Sequence, residues 1–130
     1  MGDRGTLGVG IDLVSIKRIE HVVERWGRRF LERIFTDAEI DYCESRYAPA
    51  GSLAARFAAK EAFIKAVSGT GQVGIRYRDI EVVVNKRGVP GLKARGTAKA
   101  AVGESDTRVS LSHEGDLAVA IVITSPEVKS

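Results

Sequence analysis

Val109-Ser110-Leu111-Ser112-His113, then Glu114-Gly115-Asp116, then Leu117-Ala118-Val119-Ala120-Ile121-Val122-Ile123-Thr124 decide the fold class. Arg108 to Ser112 and Leu117 to Thr124 read as strands, and the Glu-Gly-Asp between them is turn chemistry. Strands joined by so short a turn pair antiparallel. Ala118 to Ile123 is apolar at every position, which predicts cover on both faces of that strand.

Working outward, Ile80, Val82 and Val84 alternate with Glu81 and Asn85, a turn spans Lys86 to Pro90, and Leu92 to Arg95 completes a hairpin. Thr97 to Gly103 fits one short helix. At the other end, Leu7, Val9 and Ile11 alternate with Gly8 and Gly10, and Leu13-Val14 follow, a strand that runs out at Asp12. From Ile16 the period becomes helical: Ile16, Ile19, Val23, Trp26 and Phe30 recur on one stripe, with Gly27 placed to break or bend it. Thr36 with Glu39 forms a capping box for a helix from Asp37 to about Arg46. Pro49, Gly51 and Ser52 read as a loop. Leu53 to Val67, rich in Ala, Phe, Lys and Glu, reads as helix, stopped by Ser68 to Gly74. The order β, α, α, α, β, β, α, β, β predicts an α+β fold, a mostly antiparallel sheet with N-terminal helices, as one domain over residues 1–130.

Composition narrows the function classes. With 130 residues, 44% hydrophobic and 28% charged, the chain is an ordinary globular domain and not a disordered one. No apolar run approaches the ~18 residues that span a bilayer, and Met1-Gly2-Asp3-Arg4 opens no signal-peptide core, so no membrane association is expected. The lone Cys43 has no disulfide partner, which fits a cytoplasmic location. Cys43, His21 and His113 are too few for a zinc cluster. A net charge of +3 permits a nucleotide, a nucleic acid or an acidic protein as partner and selects none of them.

Several residues carry two readings each. Asp12 is either a carboxylate at a strand end facing a cleft or the N-cap of the next helix. Glu61 and Lys65, one helical turn apart, are either a surface pair or part of a site, and Arg56 and Lys60 add cations to that helix. His113 is either a functional imidazole or a satisfied strand-end residue. Arg18, Arg25 and Arg29 fall within about 40° on a wheel of roughly 100° per residue, a cationic face beside the apolar stripe and either solvated or partner-binding. Gly69-Thr70-Gly71-Gln72-Val73-Gly74 has the letters of a dinucleotide fingerprint, but it follows a helix instead of a strand. Its glycines stop the helix or expose N–H groups that can hold a phosphate. Met1-Gly2 with Thr6 fits a loose acylation pattern and is set aside, since Asp3 and Arg4 lead straight into the first strand. Ser112, His113 and Asp116 are strand neighbours and do not converge as a hydrolase triad must.

Three motifs in order change the reading. Gly8-Val9-Gly10-Ile11-Asp12 with Arg18-Ile19, then Arg56-Phe57-Ala58-Ala59-Lys60-Glu61-Ala62 with Lys65-Ala66, then Val109-Ser110-Leu111-Ser112-His113-Glu114 closely resemble the holo-acyl-carrier-protein synthases, the small bacterial-type 4′-phosphopantetheinyl transferases. The resemblance covers about Leu7 to Ile123. It implies transfer of 4′-phosphopantetheine from coenzyme A to a serine of an acidic apo-acyl carrier protein, release of adenosine 3′,5′-bisphosphate, a need for Mg²⁺, a part in fatty acid biosynthesis, and a homotrimer with active sites between protomers. It also implies roles. Asp12 and Glu61 match the metal carboxylates and Lys65 the phosphate-contacting lysine. His113 matches a histidine near the nucleotide, and Arg56 falls in the matching run. Gly88-Val89-Pro90 resembles the turn near the adenine. Arg18, and more loosely Arg25 and Arg29, match the helix that docks the carrier protein.

The residues agree with that chemistry. Mg²⁺ is commonly held by one or two carboxylates plus phosphate oxygens and water, and Asp12 and Glu61 supply that number. Gly69 and Gly71 are candidate phosphate contacts. Two other classes fit less well. A metal-dependent nuclease would set its Glu and Lys two apart on a strand, whereas Glu61 and Lys65 are four apart on a helix. An RNA-binding sheet would show exposed aromatics, and only Tyr77 lies near an expected strand, so no nucleic-acid partner is expected.

Overall fold

The computed structural model describes residues 7–126, so the Met1–Thr6 acylation pattern lies outside the described residues. The chain runs β1 (Gly8–Ser15), α1 (Ile16–Trp26), α2 (Arg28–Ile34), α3 (Asp37–Glu44), α4 (Pro49–Ala66), β2 (Ile80–Val84), β3 (Pro90–Ala94), α5 (Gly96–Val102), β4 (Asp106–Glu114) and β5 (Leu117–Ser125). Both sheets are antiparallel: a three-stranded one in the order β1-β5-β4 and the β2-β3 hairpin. The fold class is the expected α+β.

The long helix α4 packs on β1 and β5 and forms the centre of the core. Its Ala54, Ala58, Ala59, Ala62 and Phe63 are fully buried. Small residues let helix and strand approach closely. A Cβ on Gly10 would stand 1.8 Å from the Ala62 carbonyl oxygen, and one on Gly8 would stand 2.2 Å from that of Ala66. Both glycines therefore serve contact distance, and they set β1 against the turn of α4 that carries Glu61 and Lys65.

Five expectations change. The strand β1 does not run out at Asp12 but continues to Ser15, with Gly10, Asp12 and Val14 turned inward and Val9, Ile11 and Leu13 exposed. On β5, Ala118, Ala120 and Val122 are fully buried while Ile121 and Ile123 are exposed, so the single chain covers one face of that strand and not both. The Pro49 to Ser52 segment is not a loop. It is the first turn of α4, with Pro49 where a missing N–H costs no intrahelical bond. The stripe from Ile16 to Phe30 is not one helical face: Gly27, at φ 52°, makes the expected break, so Trp26 ends α1 half-exposed and Phe30 lies on α2, where its ring meets Phe35 edge-on at 6.1 Å.

The fifth change concerns Lys60, expected as one more cation on α4 and found wholly in the interior. Its ammonium is fully buried and donates to Glu39 Oε1 at 2.8 Å, to the Tyr77 carbonyl at 3.0 Å and to the Ile80 carbonyl. All three of its donors are thereby used. Glu39 accepts in turn from the Thr36 and Val82 backbone N–H groups, each at 2.9 Å, and completes the expected capping box. Thr36 Oγ1 donates to Glu81, which Arg95 also reaches, at 2.6 and 2.8 Å. Burial pulls the Lys60 pKa below the usual lysine value, with Glu39 opposing it.

Candidate active site

The site grows from the β1–α4 contact. The inner face of β1 presents Asp12 toward α4, and Lys65 Nζ reaches across to Asp12 Oδ1 at 3.1 Å and to the Ile11 carbonyl at 2.9 Å. The Glu61–Lys65 surface pair is therefore not formed. Glu61 instead accepts from the Tyr77 hydroxyl, Oε1 at 2.6 Å. Burial pushes the Tyr77 pKa up to about 12, helped by the hydrogen bond to Glu61 and by the Glu61 and Asp12 charges, so the phenol stays a donor at neutral pH. Asp12 is not the N-cap of α1. Ser15 is, and Asp116 of the β4–β5 turn supports it, accepting from Ser15 Oγ at 2.7 Å and from the Lys17 N–H at 2.8 Å. With Asp116 committed there, Ser112, His113 and Asp116 form no triad.

No group of three or more metal-ligating side chains occurs among the described residues. Two carboxylates from facing elements, with a lysine between strand and helix, do not make an all-protein metal cage. They fit a hard divalent cation that takes its other ligands from phosphates and water.

A second group lies elsewhere. Arg56, Gly88, Pro90, Ser112 and His113 line a cleft of ≈ 860 Å³ together with Tyr42 and neighbours. Arg56 is 5% exposed, its guanidinium sits 4.3 Å over the Tyr42 ring, and one of its terminal nitrogens donates to the Ser52 carbonyl at 3.3 Å. Its Nε is buried without a hydrogen-bond partner, an arrangement that an anion in the cleft would relieve. His113 is exposed at the end of β4. Gly88, at φ 81°, turns the hairpin beside Asn85, whose side chain accepts from the Arg87 and Val89 N–H groups.

The two groups do not meet within one chain. On α4, at about 100° per residue, Glu61 lies about 140° and Lys65 about 180° around the helix from Arg56. Asp12, Glu61 and Lys65 are absent from the cleft lining. Gly69 and Gly71 lie outside both groups. They sit at a short 3₁₀ turn after α4, Gly71 at φ 83°, and a Cβ at either would meet nothing within 4 Å. That turn leads toward β2 and not into a helix, so no dinucleotide fold is built there.

Arg18 and Arg25 lie exposed on α1, whereas Arg29 lies beyond the Gly27 break on α2, so the expected single helix face is split. Arg25 stacks on Trp26 at 5.5 Å. Sequence reasoning missed Tyr77 and Tyr42 as members of the two groups. Their distances along the chain from Glu61 and Arg56 follow no helical or strand period that would have flagged them.

A family model described as the 4′-phosphopantetheinyl transferase superfamily matches residues 8–122. A holo-[acyl-carrier-protein] synthase of Desulforudis audaxviator is 48% identical over 120 residues, which is 90% of this chain and 91% of that protein. One from Halothermothrix orenii is 42% identical over 119 residues, 89% and 94% of the two chains. Among solved structures, an ACPS–CoA complex from Chronobacterium ammoniagenes superposes with a TM-score of 0.81 at 30% identity, covering 95% of this chain and 99% of that one. A Helicobacter pylori holo-[acyl-carrier-protein] synthase in complex with coenzyme A gives 0.77 at 34% identity, covering 90% and 99%.

Proposed function

The chain belongs to the 4′-phosphopantetheinyl transferase superfamily, and from that premise we propose that Asp12, Glu61 and Lys65 are the reacting centre of a holo-[acyl-carrier-protein] synthase. The enzyme transfers 4′-phosphopantetheine from coenzyme A to a serine of apo-acyl carrier protein and leaves adenosine 3′,5′-bisphosphate. The observation that carries the site assignment is the Gly8/Gly10 contact with α4, across which Lys65, one helical turn from Glu61, reaches Asp12 of β1.

In the reaction, the serine oxygen forms a bond to the phosphorus that bears pantetheine, the bond from that phosphorus to the oxygen bridging the two phosphates breaks, and the serine hydroxyl proton passes to a base or to water. Positioning and charge neutralisation carry such a transfer. Asp12 and Glu61 would hold Mg²⁺, which would offset charge on the pyrophosphate. Lys65 has 54% of its side chain exposed and the reach to exchange Asp12 for a phosphate oxygen of the leaving group. Arg56 and His113, with the Gly88-Val89-Pro90 turn, would hold the nucleotide, its phosphates satisfying the orphaned Arg56 Nε. Gly69 and Gly71, at the turn that follows α4, would offer backbone N–H groups to a phosphate. Arg18, Arg25 and Arg29 would dock the acidic carrier protein.

Two half-sites on opposite sides of α4 call for a second copy. A homotrimer would cover the exposed Val9, Ile11, Leu13, Ile121 and Ile123 face and set the Arg56–His113 cleft of one protomer beside Asp12 and Glu61 of the next. Light scattering should give a trimer mass, and a monomer at micromolar concentration would overturn the assembly. No described helix is long and apolar enough to cross a membrane. The free, buried Cys43 fits the cytoplasm, where fatty acid biosynthesis would use the product. The function is tested by the intact mass of an apo-acyl carrier protein after incubation with this protein, coenzyme A and Mg²⁺. A phosphopantetheine mass gain is expected, and an unchanged mass overturns it.

A further inference from the structure

Tyr77 has no role in the reading above, yet it is held from three sides. Its carbonyl accepts from the buried Lys60 ammonium at 3.0 Å, its ring lies against Phe57 with centroids 5.7 Å apart, and its hydroxyl donates to Glu61 Oε1 at 2.6 Å. Because the backbone and ring are fixed independently of Glu61, the phenol is a fixed point from which the longer carboxylate side chain is oriented. A free glutamate has several rotamers to lose, and a short hydrogen bond to a rigid donor removes most of that freedom before any ligand arrives.

The division of oxygens is informative. Among the described residues, Glu61 Oε1 takes the phenol and Oε2 has no protein partner, while Asp12 Oδ1 takes Lys65 and Oδ2 has none. Each carboxylate thus commits one oxygen to a protein donor and leaves the other uncommitted. A phenol gives orientation without adding a competing positive charge, unlike a lysine in the same place. A ring that served packing alone would need no hydroxyl, and phenylalanine would fill the space beside Phe57 equally well.

We propose that Tyr77 is a positioning residue that orients Glu61 to receive a divalent cation, an inference that rests on the assignment of Asp12 and Glu61 as the ligands of that cation. Tyr77→Phe removes one oxygen and keeps the ring on Phe57 and the carbonyl on Lys60, so the fold should survive. The direct readout is Mn²⁺ binding to the coenzyme A-loaded protein, followed by the electron paramagnetic resonance signal of free Mn²⁺, with Glu61→Gln as the reference variant. Groups that orient metal ligands typically contribute 10- to 100-fold in affinity, so Tyr77→Phe should weaken Mn²⁺ binding about 10-fold. The Mg²⁺ concentration for half-maximal turnover should rise by a similar factor, while kcat at saturating Mg²⁺ stays within about twofold of wild type. Glu61→Gln should weaken Mn²⁺ binding further. If Glu61→Gln loses Mn²⁺ binding and Tyr77→Phe binds it as wild type does, Tyr77 only packs and the proposal is overturned while the ligand assignment stands. If Glu61→Gln itself binds Mn²⁺ like wild type, the ligand assignment falls and takes the proposal with it.

Discussion

Lys60 and Glu61 are neighbours on α4, about 100° apart around the helix, and they stand in opposite conditions. Lys60 is fully buried, and each of its donors has a protein acceptor: Glu39, Tyr77 and Ile80. Glu61 is half-buried and has a protein donor on one oxygen only. The two sides meet at Tyr77, whose carbonyl belongs to the Lys60 network and whose hydroxyl belongs to the Glu61 cluster. A fully satisfied buried network specifies geometry, whereas a partly satisfied cluster at the surface leaves places for a ligand. One short motif, Arg56 to Ala62, therefore contains both the clamp and part of the site that the clamp positions.

The buried clamp should be the most sensitive part of the molecule. Lys60→Met leaves Glu39 buried without its cation. Removing one partner of a buried pair typically costs about 3–5 kcal/mol, so the urea midpoint should fall steeply. A midpoint equal to wild type would mean that Lys60 holds nothing. Gly10→Ala tests the contact from the strand side. The added Cβ meets a backbone oxygen and not a flexible side-chain end, so β1 and α4 must separate. Overpacking of this kind costs roughly 1–3 kcal/mol. Because the Asp12–Lys65 contact spans the same gap, turnover should fall together with thermal stability. Full turnover in a destabilised Gly10→Ala protein would uncouple the scaffold from the site.

The surface side should behave in the reverse manner. Glu61→Gln and Asp12→Asn each remove a charge at nearly constant volume. Stability should fall by no more than about 1 kcal/mol, the range for losing one partly exposed ion pair or hydrogen bond. Turnover should fall at least about 100-fold, equivalent to roughly 2.7 kcal/mol in the barrier. Steady-state rates across a Mg²⁺ series check this, and near-wild-type rates at limiting Mg²⁺ would remove both residues from the site.

The legible parts of this molecule were local. The Thr36–Glu39 capping box, the turn at Lys86 to Pro90 and the β4–β5 hairpin follow from residues a few positions apart, and the structure contains all three. The site residues came from motif resemblance, and in the structure Lys65 meets Asp12 directly while Glu61 lies one helical turn away on α4 with Tyr77 on one oxygen. What was not legible is long-range. The alternation of β1 does not say that the glycine side faces inward, because that depends on the alanines of α4, some 50 positions away. The unbroken apolar run of β5 reads as a strand covered twice, while one chain supplies a single cover. Lys60 reads as one more cation on the helix until Glu39 is seen opposite it. By contrast, the opposition of Arg56 and Lys65 follows from their nine-residue spacing at about 100° per residue, once the helix is assigned.

The basic face of α1 and α2 should respond more mildly than either side of α4. Arg18 and Arg25 share the exposed face of α1, and Arg29 is carried off that axis by the break at Gly27. None of the three forms an ion pair among the described residues, so their charge faces solvent uncompensated by a carboxylate contact. The start of α1 is pinned by Ser15 and Asp116, which holds Arg18 six residues along the chain from Asp12. Complementary charge steers encounters and can raise association rates by about 10- to 1,000-fold, an effect that weakens as salt is added. Arg18→Glu should therefore raise the KM for the acidic carrier protein about 10-fold, the low end of that range. The KM for coenzyme A should hardly change, because Arg56, His113 and Lys65 lie on other elements. Arg25→Glu should act in the same direction more weakly, since its guanidinium is already stacked on Trp26, and Arg29→Glu more weakly again because it sits beyond the break. The wild-type rate should fall with added salt more steeply than that of Arg18→Glu. Equal losses for both substrates, or equal salt slopes, would place these arginines with the clamp of the fold and not with the docking surface.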